Sequence, residues 1–252
     1  MALLEGKRVT RAFGALHAVD EVDFTIQEGE ILGLIGPNGA GKTTLVNLVT
    51  GTHPLTRGEI TFKGTIITGL KPAKISRLGI ARTFQIVQPF PGMSLRENVV
   101  VGALFGKNGA SRSTKQAFQE ADRWIDFVHL QDYRQASVDQ INISFRKRMD
   151  LAKALAMNPE ILMLDEVMAG LNTKDIEEMI DLVKRINQEL KITLLVIEHV
   201  MKAVMSLCHR VTVLHHGRKI ADGPPQEVVN DPRVIEAYLG ERYAKARKGS
   251  ES

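Results

Sequence analysis

Short apolar runs alternate with amphipathic stretches along the chain. Ile31–Ile35, Ile161–Leu164 and Leu194–Ile197 are aliphatic and bounded by polar residues or glycine, a pattern typical of strands buried on both faces. Thr173–Leu190 instead places its apolar residues three or four positions apart, which predicts an amphipathic helix with one buried face. The residues of that face are Ile176, Met179, Ile180, Val183 and Ile186. Buried strands that alternate with such helices predict an α/β fold with a mainly parallel sheet.

Two parts of the chain depart from this alternation. Val22–Ile26 and Glu59–Phe62 alternate apolar and polar residues, which predicts antiparallel strands with one buried face. The stretch from about Pro91 to Met157 indicates helices and no strand. Within it Gly102–Gly109 is predicted to be a loop, and Ser113–Leu130 carries an apolar stripe that we interpret as core packing. The stripe consists of Phe118, Ala121, Trp124, Ile125 and Val128.

Composition narrows the class of protein. The 252 residues are 44% apolar and 25% charged, which excludes a disordered or fibrous chain. No apolar run approaches the about 18 residues that span a bilayer, and the N-terminal segment lacks the apolar stretch of a signal peptide. The single Cys208 cannot form an internal disulfide, and the net charge of +4 is too small to indicate a nucleic-acid partner. We therefore predict a cytosolic globular protein whose basic tail, residues 244–252, is disordered.

A glycine-rich segment carries the clearest functional motif. Gly36–Thr43 reads GPNGAGKT and fits G-x4-G-K-S/T at every fixed position. It follows the strand Ile31–Ile35 and opens a predicted helix, Lys42–Val49, so a chance match in an ordinary turn is disfavoured. Its backbone N–H groups suit an anion, Lys42 is expected to reach the β and γ phosphates, and Thr43 is expected to bind Mg²⁺. The predicted nucleotide-binding residues of the loop are Gly36, Pro37, Asn38, Gly39, Ala40, Gly41, Lys42, Thr43 and Thr44.

Polar side chains follow two of the other buried strands. Asp165 and Glu166 come directly after Ile161–Leu164, at the end of a strand where open α/β sheets bind ligands. Asp165 is expected to hold Mg²⁺, directly or through water, and Glu166 to activate the attacking water as a general base. The alternative is a pair of solvated acids that end a strand. His199 follows the third strand, and either a γ-phosphate contact or an ordinary structural histidine is consistent with that position.

These motifs resemble the ATPase domains of ABC transporters in their order and spacing. The resemblance is carried by the phosphate loop, by Gln85 in the segment Arg82–Gln85, by the Asp165–Glu166 pair and by His199, and it runs from about Leu4 to Tyr243. Several segments are similar to the ATP-binding subunits of branched-chain amino acid importers. They are Ala81–Gln85, Met93–Asn98, Ile161–Asn172, Ile197–His199 and Asp231–Gly240.

The resemblance implies a fold and further residue roles. It implies one ABC ATPase domain, residues 1–243, with a RecA-like P-loop NTPase core (about 1–85 and 158–243), an N-terminal antiparallel β subdomain and an inserted helical subdomain (about 86–157). Phe13 falls where the family stacks an aromatic ring on adenine, with core packing as the alternative. Gln85 falls where the family contacts Mg²⁺ or water and links the nucleotide to the helical subdomain. Ala169–Asn172 matches the loop that faces the partner ATPase, and His199 matches the γ-phosphate sensor.

The activity and partners that the resemblance implies are those of a transport motor. ATP and Mg²⁺ would be bound and ATP hydrolysed to ADP and phosphate by a pair of ATPase subunits, hetero- or homodimeric, that drive two membrane-spanning permease subunits. The chain would act peripherally at the cytoplasmic face of the membrane, would serve a solute-binding protein indirectly and would not bind nucleic acid. The alternatives are a nucleotide-binding regulatory subunit with little hydrolysis, the ATPase of a different importer, and a non-transport ATPase of the same superfamily.

One segment breaks the family pattern. The family signature has the form Leu-Ser-Gly-Gly-Gln, and the ungapped match here is Ile141–Phe145, which contains no glycine. A second alignment, which needs a two-residue deletion, would make Ser144 the signature serine. In the ungapped alignment Ile143 and Phe145 are expected to obstruct a partner's γ-phosphate, while Asn142 could cap the following helix. We therefore hypothesise that the chain pairs with a different ATPase that has an intact signature, and that one of the two sites turns over poorly.

Overall fold

The structure is a computed structural model that describes residues 2–239, apart from the side chain of Ala110. The predicted disordered tail, residues 244–252, lies outside the described residues. The chain forms two compact units: Met1–Gly69 with Leu195–Ser252 make unit 1, and Leu70–Leu194 make unit 2. The predicted helical segment, about 86–157, falls within unit 2.

Unit 1 contains an antiparallel sheet with strand order β2-β1-β4-β5. Its strands are β1 (Ala2–Phe13), β2 (Leu16–Gln27), β4 (Arg57–Phe62) and β5 (Thr65–Ile66). In β2 the apolar residues Val22, Phe24 and Ile26 are buried, whereas the polar residues between them are exposed. The period of two therefore places one face of this sheet in the core, as predicted.

Unit 1 also contains a group of strands in the order β10-β9-β3-β8. They are β3 (Ile31–Ile35), β9 (Arg210–His215), β10 (Arg218–Gly223) and the last three residues of β8 (Thr193–Ile197). Every residue of β3 is buried, and β3 runs parallel to β9 with Ile35 opposite Val213. The helices of this unit are α1 (Lys42–Val49), α7 (Met201–Leu207), α8 (Pro225–Val228) and α9 (Pro232–Leu239).

Unit 2 combines short parallel strands with helices. β6 (Ile80–Arg82) pairs in parallel with β7 (Ile161–Asp165), and Thr193 at the start of β8 donates a backbone hydrogen bond to Glu160. α6 (Thr173–Leu190) has the bounds that the sequence predicts and buries Met179, Ile180, Val183 and Ile186 of the predicted face. The α/β prediction is therefore confirmed, since buried parallel strands alternate with helices beside a separate antiparallel sheet.

The remaining helices of unit 2 form its helical part. They are α2 (Pro72–Leu78), α3 (Leu95–Phe105), α4 (Thr114–Phe127) and α5 (Ile143–Ala156), with 3₁₀ turns at Gly109–Ser111, Gln131–Tyr133 and Val138–Gln140. Capping boxes start α3 at Ser94 and α4 at Ser113. Among residues 2–239 every helix is too short or too polar to cross a bilayer.

The predicted loop Gly102–Gly109 is wrong over its first half. α3 continues through Gly102 to Phe105 because the glycine is needed for close packing inside a helix rather than for a turn. A Cβ atom at Gly102 would lie 2.1 Å from the carbonyl oxygen of Lys153 in α5. The apolar stripe on α4 is core, as interpreted: Ala121, Trp124 and Ile125 are buried, while Phe118 is half-buried.

Candidate functional site

The phosphate loop of unit 1 connects β3 to α1 and is packed so tightly that only glycine fits at two of its positions. A Cβ atom on Gly36 would lie 2.1 Å from the carbonyl oxygen of Leu214, and one on Gly41 would lie 2.3 Å from that of Ala18. Both glycines have positive φ angles, 149° and 105°. The motif therefore has the strand, loop and helix context that the sequence predicts, and the bounds of β3 and α1 match the prediction.

The side chain of Lys42 contacts the backbone of the phosphate loop. Its ammonium nitrogen donates hydrogen bonds to the carbonyl oxygens of Gly36, at 2.6 Å, and Pro37, at 3.0 Å. Thr43 and Thr44 follow in the first turn of α1, where backbone N–H groups and the helix dipole favour an anion. A phosphate oxygen is a charged acceptor and therefore a stronger partner for Lys42 than either carbonyl.

Unit 1 also contains three ring side chains with a predicted or observed relation to nucleotide binding or to the phosphate loop: Phe13, His199 and Tyr238. Phe13 is 45% exposed, so its alternative role as a core residue is wrong, and the guanidinium of Arg11 lies 4.4 Å from its ring centre. His199 is exposed and follows β8 with one residue, Glu198, between them. Tyr238 in α9, which no sequence motif indicates, is hydrogen-bonded to the backbone of Gly36, and burial raises its pKa.

Unit 2 carries the predicted acidic residues, Asp165 and Glu166, at the end of β7. Asp165 is 1% exposed, and its Oδ2 accepts a hydrogen bond of 3.0 Å from Arg82 at the end of β6. Burial lowers the pKa of Arg82 from its ordinary value, and the charge of Asp165 opposes that shift. No sequence motif indicates this ion pair, although Arg82 precedes Gln85 by only three residues.

Gln85 and Glu166 are in direct contact. The Nε2 of Gln85 donates a hydrogen bond of 2.8 Å to Oε2 of Glu166. Glu166 has a positive φ of 50°, which is uncommon for a residue with a side chain. The predicted residues Gln85, Asp165 and Glu166 therefore lie together within unit 2. The side-chain amide of Gln85, three residues after β6, holds the carboxylate of Glu166.

Comparison with known proteins identifies the family. The ABC transporter family profile matches residues 19–169, and a profile for the branched-chain amino acid ATP-binding cassette transporter matches residues 218–244. The chain is 38% identical over 250 residues to the high-affinity branched-chain amino acid transport ATP-binding protein BraF of Pseudomonas aeruginosa, covering 95% of this chain and 98% of that protein. The chain belongs to the ABC transporter family.

Further matches agree with this assignment. LivG of Salmonella typhimurium, described as a high-affinity branched-chain amino acid transport ATP-binding protein, is 38% identical over 240 residues, covering 91% of this chain and 94% of LivG. A solved structure described as the ADP conformation of an ATP-binding cassette from an ABC transporter superposes with a TM-score of 0.85 at 29% identity, covering 96% of this chain and 100% of that one. This ABC cassette is therefore an ATP-binding ATPase subunit, and such subunits dimerise and work with membrane permease components.

The altered signature segment of this ABC cassette starts α5. Asn142 is the N-cap residue, and its Oδ1 accepts a hydrogen bond of 2.9 Å from the backbone N–H of Phe145, so the predicted capping role is confirmed. Ile143 is 50% exposed, whereas Ser144 is buried. A residue that contacts a partner's nucleotide must be exposed, which is true of Asn142 but not of Ser144. The geometry therefore favours the ungapped alignment, with Asn142 in the position of the signature serine.

The side chains of each unit can be tested for the oxygen donors that a magnesium ion bound with nucleotide takes. Within residues 2–239 no group of three His, Cys, Asp or Glu side chains could hold a metal on its own. Mg²⁺ usually takes one or two carboxylates plus phosphate oxygens and water. Each unit offers hard oxygen donors of the kind that this ion prefers: unit 1 has the Thr43 hydroxyl, and unit 2 has the Gln85 amide oxygen and the Asp165 carboxylate.

Proposed function

We propose that this chain hydrolyses MgATP to drive the import of a branched-chain or related small amino acid. The observation that carries the proposal for hydrolysis is the contact between Gln85 and Glu166, because it holds a carboxylate in place at the end of β7 next to the metal-binding candidate Asp165. The names of BraF and LivG support the cargo, which an ATPase subunit need not touch itself.

Each residue would contribute one part of the reaction. The N–H groups of Gly36–Thr44 and the ammonium of Lys42 bind the phosphates, and Phe13 stacks on the adenine. Thr43, Gln85 and Asp165 would hold Mg²⁺, which when bound draws charge from the phosphoryl oxygens. Glu166 accepts a proton from water as the water oxygen bonds to the γ-phosphorus and the bond to ADP breaks. His199 donates a hydrogen bond to the γ-phosphate, and Gln85 keeps Glu166 in position.

We propose that the second ATPase of the pair is a different chain. A signature segment presents backbone N–H groups to the γ-phosphate held by its partner, and glycine permits close approach. Here Ile143 is exposed at that position, and Phe145 packs edge-on against Tyr133 with ring centres 4.6 Å apart. An intact signature on the partner would complete the nucleotide site of this chain. The altered segment of this chain would face the nucleotide bound by the partner.

Partners and location follow from the same proposal. The ATPase pair would work with two membrane-spanning permease subunits at the cytoplasmic face of the membrane, and a solute-binding protein would deliver the cargo. No nucleic acid is expected among the partners. A nucleotide-binding regulatory subunit with little hydrolysis is the second candidate, because Ile141–Phe145 contains no glycine.

Hydrolysis by defined assemblies tests the proposal. The purified chain alone should hydrolyse ATP near background, and the complete transporter should hydrolyse it well. In the transporter Glu166→Gln should remove nearly all hydrolysis, whereas the matching change in the partner ATPase should remove little. Robust hydrolysis by the chain alone would contradict the asymmetry, and a Glu166→Gln transporter as active as wild type would favour the regulatory candidate. Loss of leucine, isoleucine and valine uptake in cells that carry Glu166→Gln tests the cargo.

A further inference from the structure

A buried lysine in α5 contacts the main chain of Glu166. Lys147 is only 5% exposed, and its ammonium nitrogen donates a hydrogen bond of 2.8 Å to the carbonyl oxygen of Glu166. Lysine is rarely buried to this degree, because its charge must be compensated by hydrogen bonds or counter-charges. The carbonyl oxygen of Glu166 supplies one such hydrogen bond.

The contact acts on a residue whose backbone is in an unfavourable conformation. Glu166 has a φ of 50°, in the left-handed region that residues with a Cβ atom adopt only when their surroundings hold them there. Its carbonyl oxygen also accepts a hydrogen bond of 3.2 Å from the N–H of Ala169. Its carboxylate accepts the bond from Gln85. Glu166 is therefore held at both ends, by Gln85 at the side chain and by Lys147 at the main chain.

Lys147 also lies on the helix that starts at the altered signature. α5 runs without interruption from Ile143 to Ala156, capped by Asn142, so Lys147 follows the cap by little more than one turn. A displacement of the N-terminus of α5 would therefore move the ammonium group that holds the carbonyl of Glu166.

We propose that Lys147 is a positioning residue for Glu166, which couples the position of α5 to the alignment of the base. The inference rests on the proposed role of Glu166. If Lys147 positions the base, its removal should lower the rate of the chemical step and leave ATP binding intact, because Lys147 contacts the main chain of Glu166 and lies outside the phosphate loop. A purely structural lysine would affect stability alone.

The experiment compares four single variants and one double variant in the complete transporter by steady-state ATP hydrolysis, ATP binding and thermal unfolding. Lys147→Met removes the donor, and Lys147→Arg restores a charged donor. Arg112→Met is the matched control, because Arg112 also donates to backbone carbonyls in unit 2, those of Ala103 and Ala156. Glu166→Gln tests the proposed function itself. If Lys147→Met does not assemble, Lys147→Gln replaces it, since the glutamine side chain is one bond too short to reach the carbonyl.

Lys147→Met should lower kcat by about 10- to 100-fold, the range expected when a reacting group is displaced by about 1 Å. Its KM and Kd for ATP should stay within about twofold of wild type, since a tenfold change would mean lost binding energy. Lys147→Arg should recover most of kcat, and Arg112→Met should lower the unfolding temperature but keep kcat. With Glu166→Gln already present, Lys147→Met should cause no further loss.

Three outcomes would overturn the inference. The first is a Lys147→Met transporter with wild-type kcat in a series where Glu166→Gln has lost hydrolysis, which leaves the proposed function standing. The second is an equal loss of kcat in Arg112→Met, which would make the effect one of stability. The third is a Glu166→Gln transporter with wild-type hydrolysis, which removes the proposed function and the inference with it.

Discussion

The amide of Gln85 lies 2.8 Å from Oε2 of Glu166 and donates to it. We predict that Gln85→Glu in the complete transporter moves the acid side of the rate–pH profile to higher pH, because a second carboxylate this close disfavours ionisation of the pair. A base must be ionised to accept a proton, so activity lost at low pH should return as pH rises. The measurement is kcat for ATP hydrolysis across the pH range.

Gln85→Met is the control for that prediction. It removes the hydrogen bond without adding a charge, so it should lower the rate at every pH and leave the position of the acid side unchanged. A Gln85→Glu transporter whose profile has the wild-type shape would mean that the proton-accepting group lies elsewhere.

The ammonium nitrogen of Lys42 lies 2.6 Å from the carbonyl oxygen of Gly36 in the phosphate loop. Lys42→Met removes a charge-assisted hydrogen bond to phosphate, worth about 1.5–3 kcal/mol, and should weaken ATP binding about 10- to 100-fold. Titration calorimetry with ATP measures this on the chain alone. Lys184→Met, on α6 of unit 2, is the control and should bind ATP as wild type does. Unchanged affinity in Lys42→Met would show that the ammonium does not reach the phosphates.

The N-cap of α5 at Asn142 is expected to contribute to the stability of the folded protein. Asn142→Ala removes the acceptor for the N–H of Phe145, which should cost about 1 kcal/mol and lower the unfolding temperature by about 2–4 °C. Asn142→Ser keeps a capping oxygen and should stay close to wild type. Equal losses in both variants would mean that the side chain of Asn142 stabilises the protein through a contact other than the cap.

The sequence was sufficient to predict elements that depend on local patterns. The strand Ile31–Ile35 and the helices Lys42–Val49 and Thr173–Leu190 have the predicted bounds, because each is set by a motif or by hydrophobic periodicity within a few turns. The pairing of Gln85 with Glu166 was not predictable from spacing, since 81 residues separate them. The family resemblance indicated that both are functional, but only the structure shows that they touch.

Contacts between distant positions explain what the sequence pattern misses. In the sequence Arg82 and Lys147 are ordinary charged residues, at a strand end and on a helix. In the structure Arg82 donates a hydrogen bond to the carboxylate of Asp165, and Lys147 donates one to the carbonyl oxygen of Glu166. A helical period describes one element at a time and does not indicate which residue of another element comes within hydrogen-bond distance. The same limit applies to Gly102, because its close approach to Lys153 of α5 is not visible in the pattern of its own segment.

The substitution Gly102→Ala has two opposing effects on the stability of the protein. Alanine favours a helix over glycine by about 1 kcal/mol, but a Cβ atom here would lie 2.1 Å from the carbonyl oxygen of Lys153. Because that oxygen belongs to the backbone of α5, the clash cannot be relieved by rotating a side chain, and α3 and α5 would have to separate. Overpacking of this kind costs about 1–3 kcal/mol or more, so Gly102→Ala should lower the unfolding temperature in spite of its better helix propensity. Gly223→Ala is the control, since the nearest atoms to its Cβ would be an ordinary 3.7 Å away. A Gly102→Ala variant that unfolds at a higher temperature than wild type would mean that α3 and α5 pack less tightly than described here.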